Sequence, residues 1–422
     1  MASDAREVEI AALGAQGDGV VATDGEALYV PFALPGELWR IGDGESPALL
    51  RAHARRATPA CRHFGACGGC VAQHMPDDLY VAWKQDIVAQ AFRHRGIEAP
   101  LAPLVRCPSA ARRRVTLTAR RERDGLRLGF HRAGTHEVLD IAECPIAAPQ
   151  IVAALPALRE MLAPLVTAKS EAAVAVLATS TVLDLAVTVE GAVRRDDLAH
   201  VPALAARNGF ARVTVNGDPV AVVRKPVLDL DGVALEPPPG VFVQAVAASE
   251  REMVRLVLAA AEGTKQVADL FCGVGTFTFP LARRARVLAV DSDEAAIAAL
   301  LAAARRAQGL KPIETRLRDL FRTPLSALEL EPFDGVVFDP ARSGAREQAG
   351  ELAKSEVPAV VAVSCNPATL ARDVRLLLDG GYTLEAVTPI DQFLYSPHVE
   401  AVAVLRRQRR RSRGRKRPTR AS

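Results

Sequence analysis

The stretch "QVADLFCGVGTFTFPLARRARVLAVD", residues 266–291, reads as a buried strand, a glycine turn, a helix and a second buried strand. Both strand segments are short apolar runs without polar alternation, the pattern of strands covered on both faces. The same rhythm continues outward. "VRLVLAAAEG" before it and "EAAIAALLAAARRAQG" after it suit helices. "FDGVVFDPAR", "VPAVVAVSCNP" and "VEAVAVLRR" supply further strands, with the helix "ATLARDVRLLLDGG" between the last two. Strand and helix in alternation predict an α/β fold built on a doubly wound, mostly parallel sheet.

Ligands of such sheets bind outside the carboxyl ends of the strands, so the residues at strand ends carry the functional signal. Gly273 and Gly275 follow the first strand and let the backbone turn tightly and approach a ligand. A dinucleotide fingerprint would place a third glycine at 278, where Thr278 stands, which disfavours NAD. Sixteen residues past Gly275 the next strand ends in Asp291, suited to the hydroxyls of a ribose. A glycine turn followed by such an acid also suits S-adenosylmethionine, and a purely structural turn is the alternative. Another strand ends in Asp339-Pro340, and another in Ser364, Cys365, Asn366 and Pro367. Most free cysteines behave as small buried hydrophobes. Cys365, one of three polar turns expected on a single sheet edge, could instead add as a thiolate to an electrophilic ring carbon. Cys272, inside the glycine turn, suits packing. His398 and Glu400 precede the last strand two residues apart, and either could act as a general base. Glu400 is favoured because a carboxylate stays ionised at neutral pH, whereas His398 would need its pKa held low.

The chain of 422 residues, 49% hydrophobic and 24% charged, is long enough for two or three domains. No apolar run reaches the roughly 18 residues of a membrane span, and "MASDAREVEI" lacks the core of a signal peptide, which predicts a cytoplasmic protein without membrane partners. The formal charge is +4, but "RRQRRRSRGRKRPTR" at 406–420 carries ten basic residues and no acid, so its removal turns +4 into −6. Such a tail suits RNA, through counterion release, or serves as a solubilising extension. Residues 6–46 alternate short apolar stretches with glycines, the pattern of a small β-barrel. From about 75 to 240, helical and strand-like pieces mix, among them "RRRVTLTARRER" and "LRLGFHRAG". Seven cysteines, odd in number and clustered, argue for metal or catalysis rather than disulfides. "CRHFGACGGC" holds Cys61, Cys67 and Cys70, and "DIAECPI" offers Cys144 as a fourth ligand. Four thiolates suit either zinc or a [4Fe–4S] cluster.

Together these residues resemble the RNA uracil-C5 methyltransferase family, S-adenosylmethionine-dependent enzymes that make 5-methyluridine in rRNA or tRNA. "DLFCGVGTF", "FDPARSG", "SCNP" and "HVE" stand in that family's order, and the resemblance runs from about 6 to 406. It implies Cys365 as nucleophile, Glu400 as base, and Gln244, Phe271 and Asp291 as cofactor contacts beside Gly273 and Gly275. Asp339 would lie where cofactor meets target base. It further implies an iron–sulfur cluster on Cys61, Cys67, Cys70 and Cys144. The implied architecture is a TRAM-like barrel at 1–50, a mixed α+β central domain at 51–245, a Rossmann-like methyltransferase domain at 246–406 and a basic tail at 407–422. The barrel and the cysteines are closer to the 23S rRNA branch than to the tRNA branch, with a monomer acting on single-stranded or loop RNA whose target base flips out. A non-catalytic RNA-binding protein and a cytosine-C5 enzyme are the competing readings. The sequence departs from the family pattern at Val246, Thr276 and Arg316.

Overall fold

The computed structural model describes residues 6–23, 25–42, 46–168, 170–179 and 182–407. The basic tail beyond Arg407 lies outside the described residues. At the N-terminus β1 (Arg6–Leu13), β2 (Gly19–Val21), β3 (Leu28–Val30), β4 (Leu38–Ile41) and β5 (Ala48–Arg51) form an antiparallel sheet in the order β3-β2-β1-β4-β5. The barrel-like alternation thus forms a sheet, and among the described residues its edge strands β3 and β5 do not pair with each other. Ile10, Val21, Val30, Ala33 and Trp39 fill its inner face. Gly19 has no alternative there, because a Cβ would lie 2.7 Å from the Ala33 methyl.

Helix α1 (Asp77–Arg93) starts directly after Pro76 and buries Tyr80, Trp83, Lys84, Val88 and Phe92. The central sheet comprises β6 (Arg114–Glu122), β7 (Gly125–His131), β8 (Val138–Asp140), β9 (Glu171–Ala178), β10 (Leu183–Val189), β11 (Phe210–Val215) and β12 (Asp218–Val222). Its order is β12-β11-β10-β9-β6-β7-β8, with β10 and β11 parallel. Helices α2 (Pro149–Leu162), α3 (Arg195–Leu198) and α4 (Val201–Asn208) accompany it, and Leu158 and Leu204 pack with Leu117 and Leu185. A hairpin of β13 (Leu228–Leu230) and β14 (Val233–Leu235) follows.

Helix α5 (Ala247–Ala260) leads into the second seven-stranded sheet. It holds β15 (Gln266–Leu270), β16 (Arg286–Asp291), β17 (Ile313–Leu317), β18 (Gly335–Phe338), β19 (Ala359–Ser364), β20 (Thr383–Ile390) and β21 (Glu400–Arg406). Helices α6 (Thr278–Ala282), α7 (Glu294–Arg306), α8 (Ala327–Leu330), α9 (Arg346–Lys354) and α10 (Pro367–Asp379) connect the strands. The order is β17-β16-β15-β18-β19-β21-β20, parallel except for β21, which runs antiparallel to both neighbours. The strands read as unbroken apolar runs because successive side chains feed two different cores. Val336, Phe338, Val360 and Ala362 pack with Leu370 and Leu377 of α10 and with Val88 and Phe92 of α1. Val337, Val361 and Val363 face Met253 and Val257 of α5. From β15 the chain winds out to β17 and then crosses back to β18. That reversal opens a crevice at the carboxyl ends of β15, β16 and β18.

Candidate active site

At the end of β15 the chain turns through Phe271 (φ 58°), Gly273 (φ 51°) and Gly275 (φ 101°). A left-handed conformation at a phenylalanine is strained and marks a functional turn. A side chain at Gly275 would lie 2.8 Å from the Phe279 ring, whereas one at Gly273 would meet nothing within 4 Å. Gly275 therefore serves packing, and Gly273 borders open space. Asp291 ends β16 and accepts the Gly273 N–H on Oδ2 at 2.8 Å and the Asp293 N–H on Oδ1 at 2.9 Å. One lone pair per oxygen remains for a ligand. The Phe271 ring meets Phe321 at 5.0 Å. Beneath the turn Asp269 is wholly buried and accepts the Thr278 hydroxyl at 2.5 Å. Burial pushes its carboxyl up to about 7, and its other oxygen has no partner. Thr278, the residue that breaks the dinucleotide pattern, is what holds this acid.

Cys365 leaves β19 one residue ahead of α10. Asn366 caps that helix, accepting the Ala368 N–H at 3.1 Å, and Pro367 opens it with the fixed φ the first turn needs. The Asn366 amide also donates to the Arg342 carbonyl at 3.0 Å, tying the Asp339–Gly344 loop to the cysteine turn. The Cys365 thiol is pushed up to about 11 by burial, then by the Glu400 and Asp339 carboxylates, while Arg342 pulls it down. Cys365 is thus a thiol at rest.

Two glutamines connect the carboxylates. Gln244 Nε2 donates to Asp339 Oδ2 at 2.8 Å. Gln392 Nε2 donates to Gln244 Oε1 at 2.9 Å and to Glu400 Oε2 at 3.0 Å. Arg113 and Arg114 of the central sheet clamp the Gln244 segment, donating to the Gln244 and Val243 carbonyls at 3.0 Å each. The loop bearing Gln392 and Glu400 is anchored by α1. The Lys84–Asp391 pair, 3.0 Å apart, is fully buried. Lys84 donates to the carbonyls of Phe393 and His398, and Tyr80 donates to Asp391. Burial pushes Asp339 up to about 7 against the Gln244 hydrogen bond, and burial followed by the nearby Asp339 charge pushes Glu400 well above the carboxylate range. His398 is held below its ordinary value by burial and by Arg342, whose guanidinium lies 3.1 Å from Nδ1. This reverses the electrostatic premise for preferring Glu400. Glu400 is the group held neutral by a proton and His398 the neutral imidazole, because a carboxylate loses its solvation in a buried acidic site.

Cys61, Cys67, Cys70 and Cys144 line one cavity with Gln73. Cys144 reaches it because Gly68 donates to His131 and Cys67 bridges Arg132, which lays the cysteine loop against the β7–β8 hairpin. Burial first, and then the other thiols, raise Cys61, Cys67 and Cys70, the last to about 12. Gln73 accepts the Cys61 N–H at 3.1 Å, while its own Nε2 is buried without a partner. Among the described residues no three His, Cys, Asp or Glu side chains surround a point closely enough for a single metal ion. Cys272 is buried beneath the glycine turn and protonated, in keeping with packing.

Of the residues singled out from sequence, Gln244, Asp339, Cys365 and Glu400 converge, with Phe271, Gly273, Gly275 and Asp291 on the adjoining strand ends. Arg316 is occupied by ion pairs to Glu314 and Glu329 on the outer strand. Thr276 lines a hollow with Glu250 and Arg251. Val246 is buried and contributes its backbone N–H to Gln392 at 3.4 Å. Gln392, Arg342 and the Tyr80–Lys84–Asp391 anchor carried no sequence signal of their own. The one available cue was polar Asp391-Gln392 directly after an apolar strand.

Residues 204–408 match the family model described as tRNA (Uracil-5-)-methyltransferase. An RNA methyltransferase of Brucella suis biovar 1 is 47% identical, over 96% of this chain and 98% of its own. The 23S rRNA (uracil(1939)-C(5))-methyltransferase RlmD of Thiobacillus denitrificans is 33% identical, over 95% and 99%. The solved tRNA (uracil-54, C5)-methyltransferase of Pyrococcus abyssi, 24% identical over 94% and 99%, shares the fold at a TM-score of 0.74. With relatives of this identity along nearly its whole length, and a strand-end cysteine facing paired carboxyls, the chain belongs to the RNA uracil-C5 methyltransferase family.

Proposed function

We propose that the chain methylates C5 of a uridine in 23S rRNA through a covalent bond between Cys365 and C6 of the base. The observation that carries this is the convergence of Cys365, Asp339 and Glu400 beside the glycine turn. Uracil C5 is too weakly nucleophilic to accept a methyl group unaided. Cys365, after passing its thiol proton to solvent water, adds through Sγ to C6 and moves the ring electrons towards C5 and O4. Arg342 favours the thiolate. S-adenosylmethionine, held by Phe271, Gly273, Gly275 and Asp291, supplies an electrophilic methyl group on a cationic sulfur. Gln244, expected as a cofactor contact, is bonded to Asp339 and Gln392 and faces the target base with Asp339. Glu400, which releases its resting proton to solvent when the cationic cofactor binds, takes the C5 proton after methyl transfer, and the C–S bond at C6 breaks to return the Cys365 thiolate. A base can reach this buried pocket only when flipped from its stack, which suits single-stranded or loop RNA.

The whole-length likeness to an rRNA enzyme supports rRNA. tRNA is the second reading, favoured by the family model's description. Mapping 5-methyluridine across total RNA with and without the gene distinguishes them. Loss of the mark at one 23S rRNA uridine is expected, and loss only in tRNA would overturn the choice.

Cys61, Cys67, Cys70 and Cys144 would hold a [4Fe–4S] cluster. An orphaned Gln73 N–H beside half-buried thiols suits a sulfur-rich anion larger than one ion, and the cluster would tie the cysteine loop to Cys144. Residues 1–50 serve as a TRAM-like module, 51–245 as the cluster-bearing domain and 246–406 as the methyltransferase. The protein works as a cytoplasmic monomer, and the tail at 407–422 neutralises phosphates.

A further inference from the structure

We propose that Gln392 is a specificity-determining lock: it fixes which end of the Gln244 amide faces Asp339, and so makes the pocket read uracil rather than cytosine. This rests on the uridine reading above. The polarity of the chain of hydrogen bonds follows from one group. The Val246 backbone N–H can only donate, and it points at Gln392 Oε1 at 3.4 Å. Gln392 must then turn Nε2 inward, where both of its N–H groups are spent, one on Gln244 Oε1 at 2.9 Å and one on Glu400 Oε2 at 3.0 Å. Gln244, obliged to accept on its oxygen, presents Nε2 to Asp339 at 2.8 Å. Turning both glutamines around would set the Val246 N–H against an amide N–H in a buried site, leaving donors unpaired. Only the backbone of residue 246 takes part, so valine serves as well as any non-proline residue there.

Among the described residues no protein hydrogen bond takes the second Gln244 N–H or Asp339 Oδ1. A donor thus stands beside an acceptor. Uracil offers the complement, an O4 acceptor next to an N3–H donor, whereas cytosine offers an N4 donor next to an N3 acceptor. Asp339 alone cannot discriminate. Its carboxyl, pushed up to about 7, is half protonated near neutrality and could serve either base. The Gln244 amide could also serve either, once free to rotate. Gln392 removes that freedom.

The test uses the full-length protein and two transcripts. One carries the uridine that the wild-type enzyme methylates, the other cytidine at the same position. Competition binding and tritiated-methyl transfer are measured for wild type, Gln392→Leu, which removes the donors, and Gln392→Glu, which keeps the shape but offers an acceptor to Gln244. The preference for the uridine transcript should fall about tenfold in both variants, the scale of one misaligned buried hydrogen bond, while S-adenosylmethionine affinity stays within threefold. A preference unchanged within twofold, with only the turnover rate reduced, overturns the lock. So does loss of S-adenosylmethionine affinity in both variants, which would make Gln392 a scaffold residue. A wild-type enzyme that binds and methylates both transcripts equally overturns the lock alone. One that methylates no uridine overturns the uridine reading, and the lock with it.

Discussion

Two pockets of this protein gather acidic hydrogens out of water, and they handle them differently. At the carboxyl ends of the second large sheet, half-buried Asp339 and buried Glu400 are bridged by two glutamines whose donors and acceptors are matched. In the cysteine cavity three thiols are raised by burial and by one another, and the adjacent Gln73 N–H has no acceptor. In the first site the bridging glutamines pair one oxygen of each carboxyl and leave Glu400 Oε1 as a buried acceptor without a partner among the described residues. The second contains four cysteines and a Gln73 Nε2 with no hydrogen-bond partner in reach among the described residues. Polar groups buried without partners are costly, and the proposed cluster would offset that cost at the second site.

The comparison breaks first if the carboxylate pocket is not the reacting centre. Cys365→Ala should abolish methyl transfer while S-adenosylmethionine binding changes no more than a few-fold, because Asp291 and the glycine turn do not depend on the thiol. Tritiated-methyl incorporation at the wild-type rate would remove the pocket from the chemistry. Next, Glu400→Gln should permit attack and methylation but stall release, since an amide cannot take the C5 proton. A covalent enzyme–RNA adduct should then accumulate on a denaturing gel and vanish when Cys365 is also replaced. If the adduct instead builds up in His398→Gln while Glu400→Gln turns over freely, the proton goes to the imidazole.

The contrast also bears on what the amino-acid order makes legible. Apolar runs and glycine turns located the parallel sheet and the ends at which Cys365, Asp339 and Asp291 stand, because burial on both faces forces continuous apolar strands. The helix expected after the glycine turn is only five residues long, since α6 is covered by neighbouring structure rather than stabilised along its own length. Gln392 was not legible. Its role comes from hydrogen bonds to Gln244, 148 positions away, and to a backbone N–H that no residue type announces. The protonation of Glu400 was not legible for a related reason: its raised pKa depends on burial and on Asp339, neither of which spacing reveals.

The cysteine side of the comparison sharpens with metal analysis. Protein purified without oxygen should be brown and carry about four irons per chain, as a cubane site requires. Cys144→Ser should lower the iron content and the thermal midpoint together, leaving the folded strand-end pocket able to bind S-adenosylmethionine. Stoichiometric zinc in colourless protein would exclude the cluster, and full stability without any metal would remove the contrast between the two sites.

The smallest effect separates the two pockets by their protons alone. Asp269 has an ordinary pKa of 3.8 when unfolded and about 7 in the folded protein. Between those values the folded state holds a proton that the unfolded state has lost, so stability falls as pH rises. The contribution is full below about 4, is lost progressively up to about 7, and does not change further above it. Asp269→Asn abolishes this titration while keeping an oxygen for the Thr278 hydroxyl. The decline in thermal midpoint from pH 5 to pH 8 should therefore be smaller in Asp269→Asn than in wild type, by about 2–4 °C for a change on the order of 1 kcal/mol. Asp339 and Glu400 are also raised, so part of the decline should survive the substitution. The cysteine cavity should add nothing in this window, because its raised thiols stay protonated when folded and their unperturbed values near 9 leave them mostly protonated when unfolded. Replacing Cys61 in metal-free protein should leave the slope unchanged. Equal slopes in wild type and Asp269→Asn would mean that Asp269 is already ionised at pH 5, with its negative charge matched by a partner other than Thr278.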